Sequence, residues 1–405
     1  MEASLLRLIC SKISSRTRFF NLTLCNETVQ QISRCSSTFN QTQSEKFRTA
    51  FRTEINDPRH HTLDHVGLYY QIPQEEVNGV LKTTIKESDM RLMKTFNEYC
   101  LMVRKPALEL NGYIKNFNLN HPVPRFLLYG LKGAGKTCIM QYTMQHFHRE
   151  NWIILHVPWA GRWVRGWYKE VSESSYKPGR YDTPTDGAEW LELFKTQNQG
   201  KLKNLKTTSE YIWTKREKAE IGTPLEEIIN FGQTRIKFSS DCAGVILKEL
   251  RKQAPLLGLK VLVAVGAVNA FYVQWDMLNA LKNSEKKRLQ PGEISLIHNF
   301  KKMLSPTWTH GVAVCTADVF ANSELTRENY TPLYVLKQEG FEALDPFVPI
   351  LVPEYTDKEA LSNINYFIDH NWIQNDHGKT DEGKKEIIFV SNHNPLSLHK
   401  ICSSL

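Results

Sequence analysis

The stretch Arg125–Thr137 constrains the fold of this chain more than any other, because it joins an apolar run to a glycine-rich turn. The turn matches the pattern G-x-x-x-x-G-K-[ST], with Gly130, Gly135, Lys136 and Thr137 at the fixed positions. Glycines allow successive backbone N–H groups to point at phosphate oxygens, and the N-terminus of a following helix adds a positive end. The stretch therefore predicts a buried strand, a phosphate-binding loop and the start of a helix.

The predicted nucleotide-binding residues are the loop and the residue after it: Gly130, Leu131, Lys132, Gly133, Ala134, Gly135, Lys136, Thr137 and Cys138. Lys136 is expected to reach the β- and γ-phosphates, and the Thr137 hydroxyl is expected to ligate Mg²⁺. Cys138 lies where a helix N-terminus lowers a thiol pKa, although simple packing is the favoured interpretation. The alternative, a loop that only turns the chain, is disfavoured by the apolar run before it and the helical spacing after it.

Composition is that of a globular protein long enough for two domains. The chain has 405 residues, of which 41% are hydrophobic and 23% charged. It has no apolar run of about eighteen residues, so a transmembrane helix is not expected. A net charge of +8 makes an acidic partner such as RNA plausible without requiring one. The eight cysteines include no C-x-x-C pair, which favours reduced thiols over a metal site or a disulfide framework.

The first 48 residues differ from the rest of the chain. They contain seven basic residues and only three acidic ones, with many serines and threonines between them. Apolar residues between Leu5 and Ile13 can form one face of a short helix, but no apolar core is long enough for a secretory signal. This composition is typical of a mitochondrial transit peptide. A disordered basic N-terminus of a cytosolic protein is the alternative.

Alternating apolar strands and helices after the N-terminal region predict a parallel sheet covered on both faces. The predicted fold class is α/β, a P-loop NTPase of the AAA-like, additional-strand type. The expected segments are a transit peptide or disordered N-terminus (1–48), a helical N-terminal extension (49–121), the nucleotide-binding domain (122–352) and a C-terminal helical subdomain (353–405). A polar insertion is expected around 176–223, with a solvated face formed by Lys201, Lys203 and Lys206.

Three tryptophans follow the second predicted strand at intervals of four residues: Trp159, Trp163 and Trp167. Arg162 and Arg165 are interleaved with them, and such an arrangement can stack on RNA bases. A helix that packs its tryptophan face on the core has the same pattern, and it is the favoured interpretation.

The third strand of the predicted sheet, Leu259–Val265, ends without the acidic residues that hydrolysis requires. In P-loop hydrolases of this type, an aspartate there holds Mg²⁺ and a neighbouring glutamate polarises the attacking water. Those positions are Gly266 and Ala267, and the next carboxylate is Asp276. Loss of a general base costs about 10² to 10⁴ in rate, so we expect nucleotide binding with little or no hydrolysis. Thr316, at the end of a later strand, lies where related folds sense the γ-phosphate.

Several blocks of the chain together resemble the death-associated protein 3 family. They are the phosphate loop, Trp152–Pro158, Val245–Leu250, Leu262–Val265 with Asn269 and Ala270, Glu339–Val352, Asn371–Gln374 and Glu382–Lys385. The resemblance runs from about residue 60 to the C-terminus. The block Glu339–Val352 has no generic explanation among phosphate-loop proteins, which makes the resemblance specific.

The resemblance implies a structural protein in the head of the mitochondrial ribosomal small subunit, facing the large subunit. The implied partners are small-subunit proteins, rRNA and large-subunit contacts, and the implied cofactors are GTP or GDP with Mg²⁺. A connection to apoptosis is also implied. No Asn-Lys-x-Asp element follows the loop, so guanine preference rests on the resemblance and ATP stays open.

This chain departs from the family pattern at Gly266, where similar proteins have an aspartate followed by glycine. The departure bears on Mg²⁺ coordination and on any residual hydrolysis. Two other functions are the alternatives: an active AAA-like or signalling NTPase, and an apoptotic adaptor. Gly266 and Ala267 argue against the first of them.

Overall fold

The structure, a computed structural model, describes residues 50–85, 87–166, 168–174, 177–273, 280–321 and 329–405. The predicted transit peptide, Trp167 and Asp276 lie outside these ranges. The strands are β1 (Tyr69–Gln71), β2 (Cys100–Met102), β3 (Arg125–Tyr129), β4 (Ile153–Val157), β5 (Ser172–Glu173), β6 (Tyr181–Asp182), β7 (Tyr211–Ile212), β8 (Lys218–Ala219), β9 (Val261–Val265), β10 (Gly311–Thr316) and β11 (Val348–Leu351).

Helices cover both faces of the sheet and both ends of the described chain. They are α1 (Gln74–Asn78), α2 (Glu87–Phe96), α3 (Lys105–Asn116), α4 (Lys136–Arg149), α5 (Gly161–Val164), α6 (Pro184–Gln197), α7 (Leu225–Thr234), α8 (Ser239–Leu257), α9 (Ser295–Met303), α10 (Pro332–Leu344), α11 (Asp357–Asp369), α12 (Asp376–Lys379), α13 (Asp381–Ser391) and α14 (Pro395–Cys402). Within the described ranges, none of these helices combines the length and apolar character needed to cross a membrane.

A five-stranded parallel sheet organises the core, in the order β11-β3-β10-β9-β4. The strand that leads into the phosphate loop, β3, therefore pairs with β10 and β11, and β9 lies one strand further away. The carboxyl ends of parallel strands meet at one edge, which is where α/β proteins bind their ligands. The predicted α/β class with a parallel sheet is confirmed.

The sheet is buried on both faces, as continuous apolar strands predict. In β9, Val261, Val263 and Val265 pack into one hydrophobic cluster, together with α6, α7, α8 and α9. Leu262 and Ala264 of the same strand pack into a second cluster, with α3 and α4. This alternation follows from the two-residue period of a strand.

The polar segment 176–223 contributes a helix to the hydrophobic core, which its polar composition does not predict. Trp190 and Phe194 of α6 are buried in the main hydrophobic cluster. Lys201, predicted on a solvated face, instead donates from Nζ to the carbonyl oxygens of His148 (3.0 Å) and Trp152 (2.8 Å). Burial lowers its pKa to about 8. That prediction is wrong for Lys201, while the other two lysines of the set are exposed.

The tryptophan pattern does not form one long helix, because α5 spans only Gly161–Val164. Trp163 is buried, and its ring lies 6.0 Å from that of Phe271 and 5.2 Å from that of Phe300. The packing interpretation is therefore confirmed for Trp163.

The N-terminal extension, predicted to be helical over 49–121, also contains a pair of strands. Strands β1 and β2 pair antiparallel, with Tyr70 opposite Leu101. Tyr70 is fully buried, and its hydroxyl donates to Gln145 Oε1 on α4 at 2.6 Å. This contact anchors the extension on the helix that follows the phosphate loop.

We predict that buried His156 makes the fold acid-sensitive. Its ring lies in the middle of β4 with 1% exposure, and burial lowers its pKa to about 3. The unfolded chain takes up this proton below pH 6.5 and the folded chain does not, so stability is lost as pH falls. Between pH 6.5 and 5, this residue alone contributes a loss of about 2 kcal/mol.

Urea unfolding of wild type and His156→Phe at both pH values measures this contribution. The variant should lose less stability on acidification than wild type, and His60→Gln, at an exposed site, should behave like wild type. Identical pH dependence in wild type and His156→Phe would contradict the prediction.

Candidate nucleotide-binding site

The loop between β3 and α4 has the backbone conformation that its glycines predict. Gly130, Gly133 and Gly135 have φ angles of 146°, 84° and 97°, in the region that favours glycine. Gly135 directly precedes α4, whose 14 residues begin at Lys136. The loop therefore ends on the N-terminus of a long helix, where free N–H groups and the helix dipole attract anions.

Two loop glycines are also required by close contacts with the C-terminal part of the chain. A Cβ atom on Gly130 would lie 2.3 Å from the carbonyl oxygen of Val352. One on Gly133 would lie 2.6 Å from both Asn394 Oδ1 and Leu396 Cβ. The backbone of the loop is thus packed directly against the chain after β11 and the start of α14.

Asn394 connects the loop to the C-terminal helices. Its Nδ2 donates to the carbonyl oxygen of Lys132 at 2.9 Å, and its Oδ1 accepts from Ser397 N at 3.2 Å. One side chain therefore caps α14 and holds the phosphate loop.

Lys136 and Thr137 lie where the motif places them. The Nζ atom of Lys136 donates to the carbonyl oxygens of Gly130 and Leu131, both at 2.8 Å, so the amine lies across its own loop. Thr137 is half-buried in the first turn of α4. Cys138 is exposed, so the interpretation that it packs is wrong.

Arg104, immediately before α3, is hydrogen-bonded to the backbone of the loop. Its Nη1 donates to the carbonyl oxygen of Ala134 at 2.7 Å, and its Nε donates to Glu359 Oε1 at 3.1 Å. Its Nη2 donates to the carbonyl oxygens of Pro353 and Glu354, both at 3.0 Å. Arg104 is 3% exposed, so a buried guanidinium joins the N-terminal extension, the phosphate loop and the C-terminal segment.

An aromatic side chain completes the environment of Arg104. The guanidinium lies 4.9 Å from the ring centre of Tyr355, at a distance typical of a cation–π contact. Burial raises the pKa of Tyr355 to about 12. Sequence reasoning missed Arg104, Glu359 and Asn394, because they lie far from the motif along the chain.

The end of β9 has no room for a side chain at position 266. A Cβ atom on Gly266 would lie 2.0 Å from the carbonyl oxygen of Pro158. Gly266 N donates to Val157 O, and Ala160 N donates to Gly266 O, both at 2.8 Å. In this backbone conformation, position 266 cannot carry the carboxylate that the sequence comparison with P-loop hydrolases would place there.

Ala267, which follows β9, is hydrogen-bonded to the end of β10. Ala267 has a φ of 57° and donates from its N–H to Thr316 Oγ1 at 2.9 Å. Thr316 is 6% exposed. The hydroxyl that was expected to sense a γ-phosphate therefore joins two neighbouring strands.

Asp318 is a carboxylate at this edge that sequence reasoning missed. Its Oδ2 accepts from Trp159 Nε1 at 2.9 Å, and its Oδ1 accepts from Phe320 N at 3.0 Å. Asn269 accepts from Asp318 N at 3.1 Å and donates to Asp318 O at 2.9 Å. Its position two residues after a buried strand was the available signal. In the described part of the chain, His, Cys, Asp and Glu form no cluster able to hold a metal ion.

Comparison with known proteins supplies the family. Residues 101–401 match the model of the family described as mitochondrial ribosomal death-associated protein 3. The chain belongs to this family. Small ribosomal subunit protein mS29 of Mus musculus is 41% identical over 365 residues, covering 90% of this chain and 92% of the relative. The mS29 protein of Bos taurus is 40% identical over 366 residues, covering 90% and 91%.

Family membership makes the chain a mitochondrial ribosomal protein, as the resemblance of its sequence blocks implied. The matched region includes the phosphate loop together with Arg104, Glu359 and Asn394. Among solved structures, the Aeropyrum pernix ORC2 protein in ADPNP–ADP complexes aligns with a TM-score of 0.33 and 12% identity, covering 74% of this chain and 67% of that chain.

We predict that Gly266→Ala strongly lowers the free energy of unfolding of this protein. The added methyl group must displace the backbone of Pro158, at a cost on the order of 3 kcal/mol. The neighbouring change Ala267→Gly relieves a left-handed conformation and should be neutral or stabilise by about 1 kcal/mol. Chemical denaturation of both variants measures the difference. Equal stability of Gly266→Ala and wild type would contradict the packing described for β9.

We predict a second large effect at Arg104. Arg104→Ala leaves the buried Glu359 carboxylate unpaired and should cost about 3–5 kcal/mol. Arg104→Lys keeps the charge but cannot serve the same acceptors, so its loss should be intermediate. Arg59→Ala, which removes a surface ion pair with Asp57, should cost about 1 kcal/mol or less. Similar losses at Arg104 and Arg59 in thermal unfolding would contradict the central position of Arg104.

Proposed function

We propose that this chain is a structural component of the mitochondrial ribosomal small subunit that holds a purine nucleotide at Gly130–Cys138. The observation that carries the proposal is the phosphate loop itself, which ends on a helix N-terminus and is fixed by both terminal parts of the described chain. A ligand in such a loop contacts a region on which the packing of the C-terminal helices depends. We infer that the nucleotide stabilises the fold rather than powering a reaction.

The strand order supports an AAA-like, additional-strand assignment for the nucleotide-binding domain. In the sheet, β10 is inserted between the loop strand β3 and β9. The proposed arrangement is an N-terminal extension over residues 49–121, the nucleotide-binding domain over 122–352 and a C-terminal helical subdomain over 353–405. The contacts of Arg104 and Asn394 give the two outer segments a role in shaping the site.

The chemistry of the strand edge supports binding with little or no hydrolysis. Gly266 and Ala267 offer no carboxylate to a metal-bound or attacking water. Both carboxylate oxygens of Asp318 accept hydrogen bonds from neighbouring groups. Bound Mg²⁺ would neutralise phosphate charge, and on this chain its ligand would be the Thr137 hydroxyl.

The nucleotide that we propose is GTP or GDP, with ATP as the competing ligand. The names of the relatives support placement in the small subunit, among its proteins and rRNA. A position in the head with contacts to the large subunit is part of the same proposal. The apoptotic connection stays a prediction.

We predict that Lys136→Ala weakens nucleotide binding and lowers stability. A hydrogen bond to a charged group is worth about 1.5–3 kcal/mol, so affinity should fall by a factor of about 10 to 150. Lys132→Ala, in the same loop, removes a lysine whose amine lies 4.0 Å from the Phe320 ring centre, and it should keep most of the affinity. Isothermal titration with GDP and GTP, in the presence of Mg²⁺, measures both variants.

The same pair of variants tests the structural role. Saturating nucleotide stabilises a folded protein by RT ln(1 + [L]/Kd), about 4 kcal/mol at a thousandfold excess over Kd. Wild type and Lys132→Ala should therefore melt higher with GDP, and at the same GDP concentration the shift of Lys136→Ala should be clearly smaller. Lys136→Ala should also assemble poorly into mitochondrial small subunits. Normal assembly together with wild-type melting would overturn the proposed role of the nucleotide.

A further inference from the structure

A dense group of cations lies on the described surface formed by α8, α9 and the turn between β5 and β6. We call this group the cationic face, and it consists of Lys177, Arg180, Lys248, Arg251 and Lys302. Lys177, Lys248 and Lys302 are exposed, and the two arginines are half-buried. None of the three elements belongs to the phosphate loop.

Packing brings the three elements together. Helices α8 and α9 cross where a Cβ atom on Gly244 would lie 2.6 Å from Asn299 Nδ2. Lys248 follows Gly244 by four residues and Lys302 follows Asn299 by three, so both lie on the faces near the crossing. Tyr181, next to Arg180, forms a bridge with Ile294 at the start of α9. The geometry thus collects cations from three separate parts of the chain.

Carboxylates do not neutralise this group. Within the described ranges, none of the five side chains has a carboxylate oxygen within 4.0 Å. Glu249, between Lys248 and Arg251 on α8, uses its oxygens to bind Tyr211 and Thr208 instead. Asp182 on β6 is 4% exposed, so its carboxyl is turned away from solvent.

Neighbouring titratable groups respond to this crowding. Burial first, and then Arg180, Arg251, Lys177 and Lys248, lower the pKa of Lys302. Burial, followed by Arg180 and Lys302, lowers the pKa of His298 to about 4, so its ring is neutral at pH 7. Like charges held this closely destabilise the isolated protein, and an anion placed among them would relieve the repulsion.

We propose that the cationic face binds the phosphate backbone of RNA. A protein partner would need an apolar centre to its interface, yet every large hydrophobic side chain of α9 is buried, and the exposed Leu256 and Leu257 lie at the C-terminal end of α8, beyond Lys248 and Arg251. Arginines and lysines spread over three elements suit a chain of phosphates, which is read through charge. That the RNA is ribosomal rests on the proposed function, whereas binding to the face itself does not.

A charge-reversal variant tests this surface. We compare Lys177→Glu/Arg180→Glu/Lys302→Glu with Lys203→Glu/Lys215→Glu/Arg216→Glu, which makes the same charge change at three exposed residues elsewhere. The probe is a fluorescently labelled transcript of mitochondrial small-subunit rRNA, with binding followed by anisotropy over a range of salt concentrations. Thermal unfolding and GDP titration of both variants establish that each is folded with a working phosphate loop.

The proposal predicts a loss of RNA affinity of about 100-fold for the first variant and only a few-fold for the second. The slope of log K against log [salt] should also fall in magnitude by about 2, because about 0.7 is lost per phosphate contact to a single strand. Equal RNA affinity of the two variants would overturn the proposal. It would also be overturned if the first variant lost binding to an acidic protein but kept its affinity for RNA. Failure of GDP to bind wild type would contradict the proposed function and leave the RNA result to stand alone.

Discussion

The buried guanidinium of Arg104 is the contact on which the arrangement of this protein depends. A buried cation is stable only when its charge is paired and its N–H groups are bonded. Arg104 meets both conditions with groups from separate parts of the chain: Ala134 in the phosphate loop, Glu359 in α11, and the carbonyls of Pro353 and Glu354 after β11. The loop conformation and the packing of the C-terminal helices therefore depend on the same buried side chain.

This coupling fits a protein that holds its ligand. On one side of the loop, Asn394 bonds to Lys132 and also caps α14. On the other, the end of β9 is tied to its neighbours through Gly266 and through the bond between Ala267 and Thr316. The backbone groups of Gly266, the N–H of Ala267 and the hydroxyl of Thr316 are thus all used in internal contacts. The cationic face, which we propose as an RNA-binding surface, lies on α8 and α9, and these helices pack on the face of the sheet opposite to α4.

Local patterns predicted much of this architecture, because continuous apolar strands and a glycine loop carry their own signals. A buried strand ends at Thr316, and a helix begins at Lys136 directly after the loop, as the sequence predicted. Long-range contacts carry no such signal. Arg104 and Glu359 are 255 residues apart, and Lys201 is held by carbonyls that only the fold brings near. In the sequence, Gly266 stands where a carboxylate is expected. The structure shows why a glycine is needed there, because the backbone of Pro158 leaves no room for a side chain.

The proposal that this protein holds a nucleotide without hydrolysing it is tested most directly by the nucleotide content of native mitochondrial small subunits purified through a tag on this chain. Acid extraction and chromatography identify the base and the number of phosphates, and a chase with unlabelled GTP measures exchange. We expect about one guanine nucleotide per subunit in excess of background, retained through the chase without release of inorganic phosphate. Subunits that lack the nucleotide, carry ATP, or release phosphate continuously would contradict the proposal.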